Sequence, residues 1–171
     1  MMSELNWRHG ARALVVDCDS GDVLLVRFEF PTAVVWSTPG GGLEPGEKPV
    51  DGLRRELREE LGLVDCEIGP HIWSREHPFP MMTGHDGQRD QIFLVRCKRF
   101  DPIPDIGWEQ LRAEYVHEIK WWTVAEIRAA TREECAVSDE RPTLFAPRRL
   151  GDLLDQLGTS GPPLSPIDTG A

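Results

Sequence analysis

Strands are predicted where β-branched and other apolar residues cluster between turn-forming residues. Such runs occupy residues 11–17, 23–28, 33–37, 65–77, 89–100 and 115–122. The turn-forming residues 17–22 separate the first two runs, which predicts an antiparallel hairpin. An Asp86-Gly87 pair lies between the runs at 65–77 and 89–100, which predicts a second hairpin.

Helices are predicted where apolar positions recur every three to four residues. The clearest case covers residues 49–61, because Pro49 suits a first helical turn and Gly62 suits a helix end. The expected buried stripe of this helix consists of Val50, Leu53, Leu57 and Leu61. The helix is therefore amphipathic, with one side left for polar residues.

Two further helices are predicted in the second half of the chain. Thr123 is a suitable N-cap for a helix over residues 124–130, and a leucine stripe predicts another between Pro147 and Gly158. Residues 101–114 begin with two prolines in their first four positions and are predicted to be a loop.

The alternation of strands and helices indicates an α/β fold. With 171 residues, a single domain is expected at residues 11–158, large enough to form one core without disulfides. Residues 1–10 are predicted to be a flexible N-terminal segment. Residues 159–171, rich in Pro, Gly and Ser, are predicted to be a disordered tail.

Three carboxylates crowd one edge of the first helix. Glu56, Glu59 and Glu60 are related by three- and four-residue steps, so they lie beside the buried stripe and repel one another. A divalent cation that prefers oxygen ligands, Mg²⁺ or Mn²⁺, would offset this repulsion. Alternatively, with interleaved arginines, the acids form an ordinary solvated face stabilised by ion pairs.

The spacing of these acids together with the preceding glycines favours the metal site. Residues 41–63 resemble the signature of the Nudix hydrolase family, in which Gly, Glu and the Arg-Glu-apolar-x-Glu-Glu-x-Gly-apolar run stand at fixed distances. The matching positions are Gly41, Glu47, Arg55, Glu56, Leu57, Glu59, Glu60, Gly62 and Leu63. No position departs from the pattern.

The resemblance implies a Nudix-type α/β/α sandwich with a mixed β-sheet between helices. It also implies a metal-dependent hydrolase that cleaves the diphosphate linkage of a nucleoside diphosphate joined to another group. Nucleoside triphosphates, nucleotide sugars such as ADP-ribose and dinucleoside polyphosphates all remain open as substrates. Homodimers are common in the family.

The resemblance also assigns roles to individual residues. Glu56, Glu59 and Glu60 would be metal ligands, or one of them the base, with the carbonyl of Gly40 or Gly41 as a further ligand. Arg55, which the family places among the catalytic residues, and Glu47 would hold these ligands in place. Many family members have an additional acid late in the chain, for which the candidates are Glu109, Glu114 and Glu118.

Substrate-binding residues are less well indicated. Arg27 ends an apolar strand and is either a solvated edge residue or a substrate ligand, and Trp36 either packs the following loop or contacts a base. Variable loops at residues 29–36, 78–88 and 102–114 are the expected walls of the pocket.

Composition limits the partners of the protein. Nineteen basic and twenty-nine acidic residues give a net charge of −10, which argues against a basic nucleic-acid-binding surface. A polyanionic substrate would be repelled, so bound metal and local arginines must attract it. The four cysteines are widely spaced and expected to be reduced, and no apolar stretch predicts a signal peptide or membrane span. We therefore predict a cytoplasmic protein.

Three rival functions fit the sequence less well. A Nudix domain that senses a nucleotide without hydrolysing it would not need every acid of the signature. An isoprenoid diphosphate isomerase on the same fold should show additional Cys and Glu motifs, which are missing. A P-loop is excluded because no Gly-Lys-Ser/Thr follows the run of residues 40–42.

Overall fold

The computed structural model describes residues 4–78, 84–134 and 142–170. Within these ranges the helices are α1 (Pro49–Leu61), α2 (Gly107–Ala113), α3 (Val124–Glu134) and α4 (Leu150–Ser160). The strands are β1 (Trp7–Asp17), β2 (Val23–Glu29), β3 (Val34–Ser37), β4 (Gly40–Gly42), β5 (His71–Pro78), β6 (Gly87–Cys97), β7 (Val116–Trp122), β8 (Thr143–Ala146) and β9 (Ile167–Asp168).

All the strands belong to one mixed sheet. Its order is β8-β3-β2-β1-β6-β5-β9, while β4 pairs with β1 and β7 pairs with β2. The pairs β1–β6, β3–β8 and β5–β9 are parallel, and the remaining pairs are antiparallel. The two predicted hairpins, β1–β2 and β5–β6, are present.

Helices cover both faces of this sheet. Alternate residues of a strand point to opposite sides, and apolar residues on each side pack against helices. Ala13, Val15 and Leu24 pack with Leu53 and Leu57 of α1. On the other face, α3 and α4 contribute to the core formed by Leu14, Val16, Leu25, Trp36, Trp122, Ile127, Leu150 and Leu153. The α/β/α arrangement with a mixed sheet is therefore confirmed.

The N-terminal segment departs from the prediction. Residues 7–10, expected to be flexible, begin β1, which pairs with β6 from Trp7↔Gly87 to Asp17↔Cys97. This parallel pairing orders residues that have no local structural signal, because their partners lie 80 residues away in the chain.

The C-terminal tail was also predicted wrongly. Residues 167–168 pair with Trp73 and Ser74 of β5, and the Thr169 amide donates to the Ser74 carbonyl at 2.9 Å. Although this segment has little to bury, an unpaired sheet edge supplies its hydrogen-bond partners.

Several element predictions need correction as well. The predicted loop at 101–114 contains α2, residues 65–70 precede β5 rather than belonging to it, and α4 begins at Leu150 rather than Pro147. Val50 lies in the first turn of α1 and is 37% exposed, so it is not part of the buried stripe. Thr123 caps α3 as predicted, accepting the Glu126 amide at 3.1 Å.

Some predictions fall outside the described residues, including the loop positions 79–83 and Cys135. Cys18, Cys66 and Cys97 are free. Across the described ranges, every helix is too short or too polar to cross a membrane.

Candidate active site

Helix α1 is held so that its acidic edge faces β4. Leu53, Leu57 and Leu61 are almost fully buried, which fixes the rotation of the helix about its axis. Gly62 ends the helix in the left-handed conformation, with φ of 67°. A Cβ at this position would collide with the Ile103 carbonyl oxygen, so the helix end also packs too closely for a side chain.

Strand β4 presents its glycines to this acidic edge. Ala13 donates to the Pro39 carbonyl and Leu43 to the His9 carbonyl, both at 2.8 Å, while Gly41 lies opposite Ala11 between them. Antiparallel ladders alternate, so Gly41 belongs to the hydrogen-bonded pair and the polar groups of Gly40 point away from β1. Of the two predicted backbone ligands, Gly40 therefore has the carbonyl outside the ladder.

Glu60 is the most buried of the three acids. It is 6% exposed, and its Oε2 accepts the Gly40 amide at 2.9 Å. Burial raises the pKa of Glu60 to about 8, although the Gly40 amide and the positive charge of Arg12 oppose this shift. A charged Glu60 is thus poorly compensated by the protein alone.

Glu56 packs directly against Gly41. A Cβ at Gly41 would lie 2.7 Å from the Glu56 carboxyl group, so a side chain at this position would displace that carboxylate. Burial raises the pKa of Glu56, while its hydrogen bond to Arg55 acts in the opposite direction. Buried Glu60 and half-buried Glu56 therefore both lie at the β4 glycines.

Arg55 connects the acids to the preceding loop. Its Nε and Nη2 bind the two oxygens of Glu47 at 3.0 and 2.9 Å, and its Nη2 also donates to the Gly42 carbonyl at 3.1 Å. Nη1 contacts Glu56 at 2.8 Å and Glu59 at 3.3 Å. The Arg55 hydrogen bond lowers the pKa of Glu47 to about 2. These contacts link the acids as the sequence predicted, and the functional role of Arg55 stays a prediction.

The donor set fits a hard divalent cation. Three carboxylates and the outward carbonyl of Gly40 are oxygen donors, and buried Glu60 and half-buried Glu56 lack full charge compensation. The oxygens of the three glutamates do not surround one point, since among the described residues Asp17, Cys18 and Asp19 form the only group of three with ligand atoms all within 4.8 Å of one another. Binding by all three glutamates would need side-chain rotation.

The Asp17 group is explained by its turn. The Asp17 carboxylate accepts the Ser20 hydroxyl at 2.6 Å and the Asp19 amide at 3.3 Å between β1 and β2. These hydrogen bonds stabilise the turn and account for the close approach.

The candidate substrate residues lie on β2 and β3, away from these acids. Arg27 pairs with Glu29 at 2.9 Å and with Glu118 at 3.2 Å. Trp36 is 6% exposed and packs edge-on against Trp122, so its ring belongs mainly to the core. The structure does not bring either residue to the glutamates of α1.

The three candidates for an additional acid differ in their surroundings. Glu118 forms an ion pair with Arg27, and Glu109 is exposed in the first turn of α2. The Glu114 carboxylate accepts a hydrogen bond from the side-chain amide of Gln110 at 3.0 Å. The negative charge of Glu114 contributes to the raised pKa of Glu60. The charge of Glu114 therefore reaches the most buried acid of α1.

The sequence interpretation missed Arg12 and Asp90. Arg12 binds Asp90 at 3.1 Å and donates to the Thr38 carbonyl at 2.9 Å and to the Gly40 carbonyl at 3.4 Å. The signal available was a charged residue inside or just before an apolar run, at Ala-Arg-Ala-Leu in β1 and at Asp-Gln-Ile-Phe in β6.

Comparisons with known proteins agree with this picture. A family model described as the NUDIX domain matches residues 7–143. Nucleoside triphosphatase NudI of Escherichia fergusonii is 44% identical over 62 residues, covering 35% of this chain and 43% of that protein. The match therefore spans less than half of that relative.

Solved structures share the fold at low sequence identity. A MutT protein from Methanosarcina mazei Go1 has a TM-score of 0.58 and 18% identity, covering 91% of this chain and 96% of that one. An Ap4A hydrolase of C. elegans, in a binary complex, has a TM-score of 0.58 and 15% identity, covering 89% and 96%.

Proposed function

The chain belongs to the NUDIX domain family, and we propose that it is a metal-dependent pyrophosphohydrolase acting on a nucleoside diphosphate joined to another group. Nucleoside triphosphates are the first class to test, because the similar NudI proteins are named nucleoside triphosphatases. The observation that carries the proposal is the contact between the acidic edge of α1 and the glycines of β4.

In this proposal Glu56, Glu59, Glu60 and the Gly40 carbonyl hold Mg²⁺ or Mn²⁺. The bound ion would neutralise charge on the diphosphate oxygens and lower the pKa of a water molecule. The raised pKa values of Glu56 and Glu60 support this assignment, because a cation would supply the charge compensation that burial removes.

Arg55 and Glu47 have a positioning role in the same proposal. The guanidinium fork holds Glu47 with two hydrogen bonds and reaches Glu56 and Glu59 with its third nitrogen. Such a fork restricts the rotamers of acids that would otherwise repel one another. Glu59, with a side chain 29% exposed, is the acid most accessible to a substrate or water.

The central test is hydrolysis by the wild type and by Glu60→Gln. We expect Mg²⁺- or Mn²⁺-dependent release of phosphate or nucleoside monophosphate, abolished by EDTA, from a panel of nucleoside triphosphates, ADP-ribose, NADH and diadenosine polyphosphates. Glu60→Gln should lower turnover about 10²- to 10⁴-fold, because it removes charge but not shape. Glu67→Gln, which changes an exposed acid outside the site, is the matched control.

The results distinguish the proposed hydrolase from the alternative hypothesis, a nucleotide sensor. A folded Glu60→Gln variant with undiminished metal-dependent activity would refute the assignment of Glu60. Absence of turnover for every compound, together with thermal stabilisation by one of them, would favour the sensor instead.

A further inference from the structure

Arg12 and Asp90 form a buried ion pair between β1 and β6. The Asp90 side chain is 1% exposed and that of Arg12 is 12% exposed, with Arg12 Nε lying 3.1 Å from Asp90 Oδ2. Gln88 donates to the other carboxylate oxygen of Asp90 at 2.7 Å. A Cβ at Gly10 would collide with this oxygen, so the backbone of β1 packs directly against the Asp90 carboxylate. The orientation of Asp90 is thus fixed from several sides.

The other end of Arg12 holds the backbone that leads into β4. Its Nη1 donates to the Thr38 carbonyl at 2.9 Å and, more weakly, to the Gly40 carbonyl at 3.4 Å. The Gly40 amide in turn donates to Glu60 at 2.9 Å. A continuous chain of contacts therefore runs from Asp90 through Arg12 and Gly40 to the most buried acid of α1.

From this chain of contacts we propose that Arg12, anchored by Asp90, is a positioning residue for the metal site. It would orient the backbone of Gly40 so that the Gly40 amide binds Glu60 and the Gly40 carbonyl faces the cation. The long 3.4 Å contact leaves this carbonyl able to accept a second partner. The inference rests on the proposed function of the α1 acids and adds a residue from outside the signature.

Arg75 provides a comparison at the same carboxylate. Its Nη1 lies 3.5 Å from the same Asp90 oxygen, but Arg75 is on β5 and has no described hydrogen bond to the backbone of residues 38–40. If the buried charges served stability alone, replacing either arginine should have similar consequences. If Arg12 positions the site, only its replacement should affect metal binding.

The test compares Arg12→Lys with Arg75→Lys. Lysine keeps the positive charge but loses the planar fork, so it cannot hold Asp90 and the two carbonyls together. The positive charge is retained because replacing Arg12 by a neutral residue would remove a charge that repels the cation. Cation binding would then strengthen whether or not Arg12 positions Gly40. Binding of Mn²⁺ to the nucleotide-free protein is measured by electron paramagnetic resonance, alongside kcat and KM for a nucleoside triphosphate.

We expect Arg12→Lys to raise the Mn²⁺ Kd and to lower kcat by about 10- to 100-fold each, with KM for the nucleotide changing less than about threefold. Arg75→Lys should stay within about twofold of the wild type in both. Wild-type Mn²⁺ affinity in a folded Arg12→Lys variant would overturn the inference, as would an equal loss in Arg75→Lys.

Asp90→Glu gives a second route if Arg12→Lys does not fold. It keeps the negative charge but displaces the carboxylate that anchors Arg12, so it should also weaken Mn²⁺ binding about 10-fold or more. Unchanged binding, or failure of both variants to fold, would mean that the pair serves stability alone. A wild type that binds Mn²⁺ without hydrolysis refutes only the proposed function, whereas one that binds no Mn²⁺ refutes both proposals.

Discussion

At the scale of single residues, Glu60 shows a conflict between stability and the function proposed for it. Its carboxyl group is buried, and burial raises its pKa to about 8 in the metal-free protein. A core position would ordinarily be filled by an apolar residue or by a fully paired charge. A buried acid with one amide donor is better suited to bind a cation than to stabilise the fold.

The raised pKa predicts how the stability of the metal-free protein depends on pH. Between the ordinary value of 4.5 and about 8, Glu60 keeps its proton in the folded state but loses it on unfolding. The unfolded state then binds fewer protons, so the free energy of unfolding falls as pH rises, by at most about 1.4 kcal/mol per pH unit from this group.

Glu60→Gln should remove this contribution. We expect urea unfolding in EDTA, between pH 5 and pH 8, to show a smaller loss of stability for Glu60→Gln than for the wild type. Histidines also titrate in this range, but both proteins contain the same ones. The difference between the two slopes of unfolding free energy against pH therefore reports on Glu60. Parallel slopes would contradict the raised pKa.

At the scale of elements, β9 covers the edge of the sheet. It pairs with Trp73 and Ser74 of β5, and Trp73 is 1% exposed. Removing residues 161–171 would leave these backbone groups unpaired and expose part of the Trp73 ring. An open edge strand is also a template for pairing with another chain.

We therefore expect truncation after Ser160 to lower the free energy of unfolding by about 1–3 kcal/mol and to promote concentration-dependent association. Urea unfolding and light scattering after size exclusion measure the two effects. Leu164→Ser is the control, because Leu164 is fully exposed and its replacement should change neither. A truncated chain as stable and as monodisperse as the full chain would show that β9 has no stabilising role.

At the scale of the whole molecule, an excess of ten negative charges opposes the approach of another polyanion. Bound metal would offset part of this charge where the substrate must bind. A cation that binds the folded state alone also stabilises it, by about 2.7 kcal/mol at a concentration 100 times its Kd.

Mg²⁺ or Mn²⁺ should therefore raise the melting temperature above that measured in NaCl of equal ionic strength. The rise should be smaller in Glu56→Gln and unchanged in Glu67→Gln, since Glu56 lies at the β4 glycines and Glu67 is an exposed residue outside the site. Differential scanning fluorimetry is sufficient for this comparison. Equal rises in all three proteins would indicate nonspecific screening of surface charge rather than a site on α1.

The sequence alone determined the parts of this protein that depend on neighbouring residues. The helix over Pro49–Leu61 follows from its leucine spacing, its first proline and its terminal glycine. The same periodicity places Glu56, Glu59 and Glu60 on one edge. Most strands of the sheet were also recognisable, because an apolar run between turn-forming residues is a local signal.

Only the tertiary structure decided which distant residues contact the acids of the candidate site. Arg12 and Asp90 are 78 residues apart, and the Gly40 amide meets Glu60 across 20 residues. Strand β9 and residues 7–10 are ordered by pairing with remote strands. Such contacts depend on the register of the sheet and on the packing of α1 against it, and neither is encoded in the spacing of nearby residues.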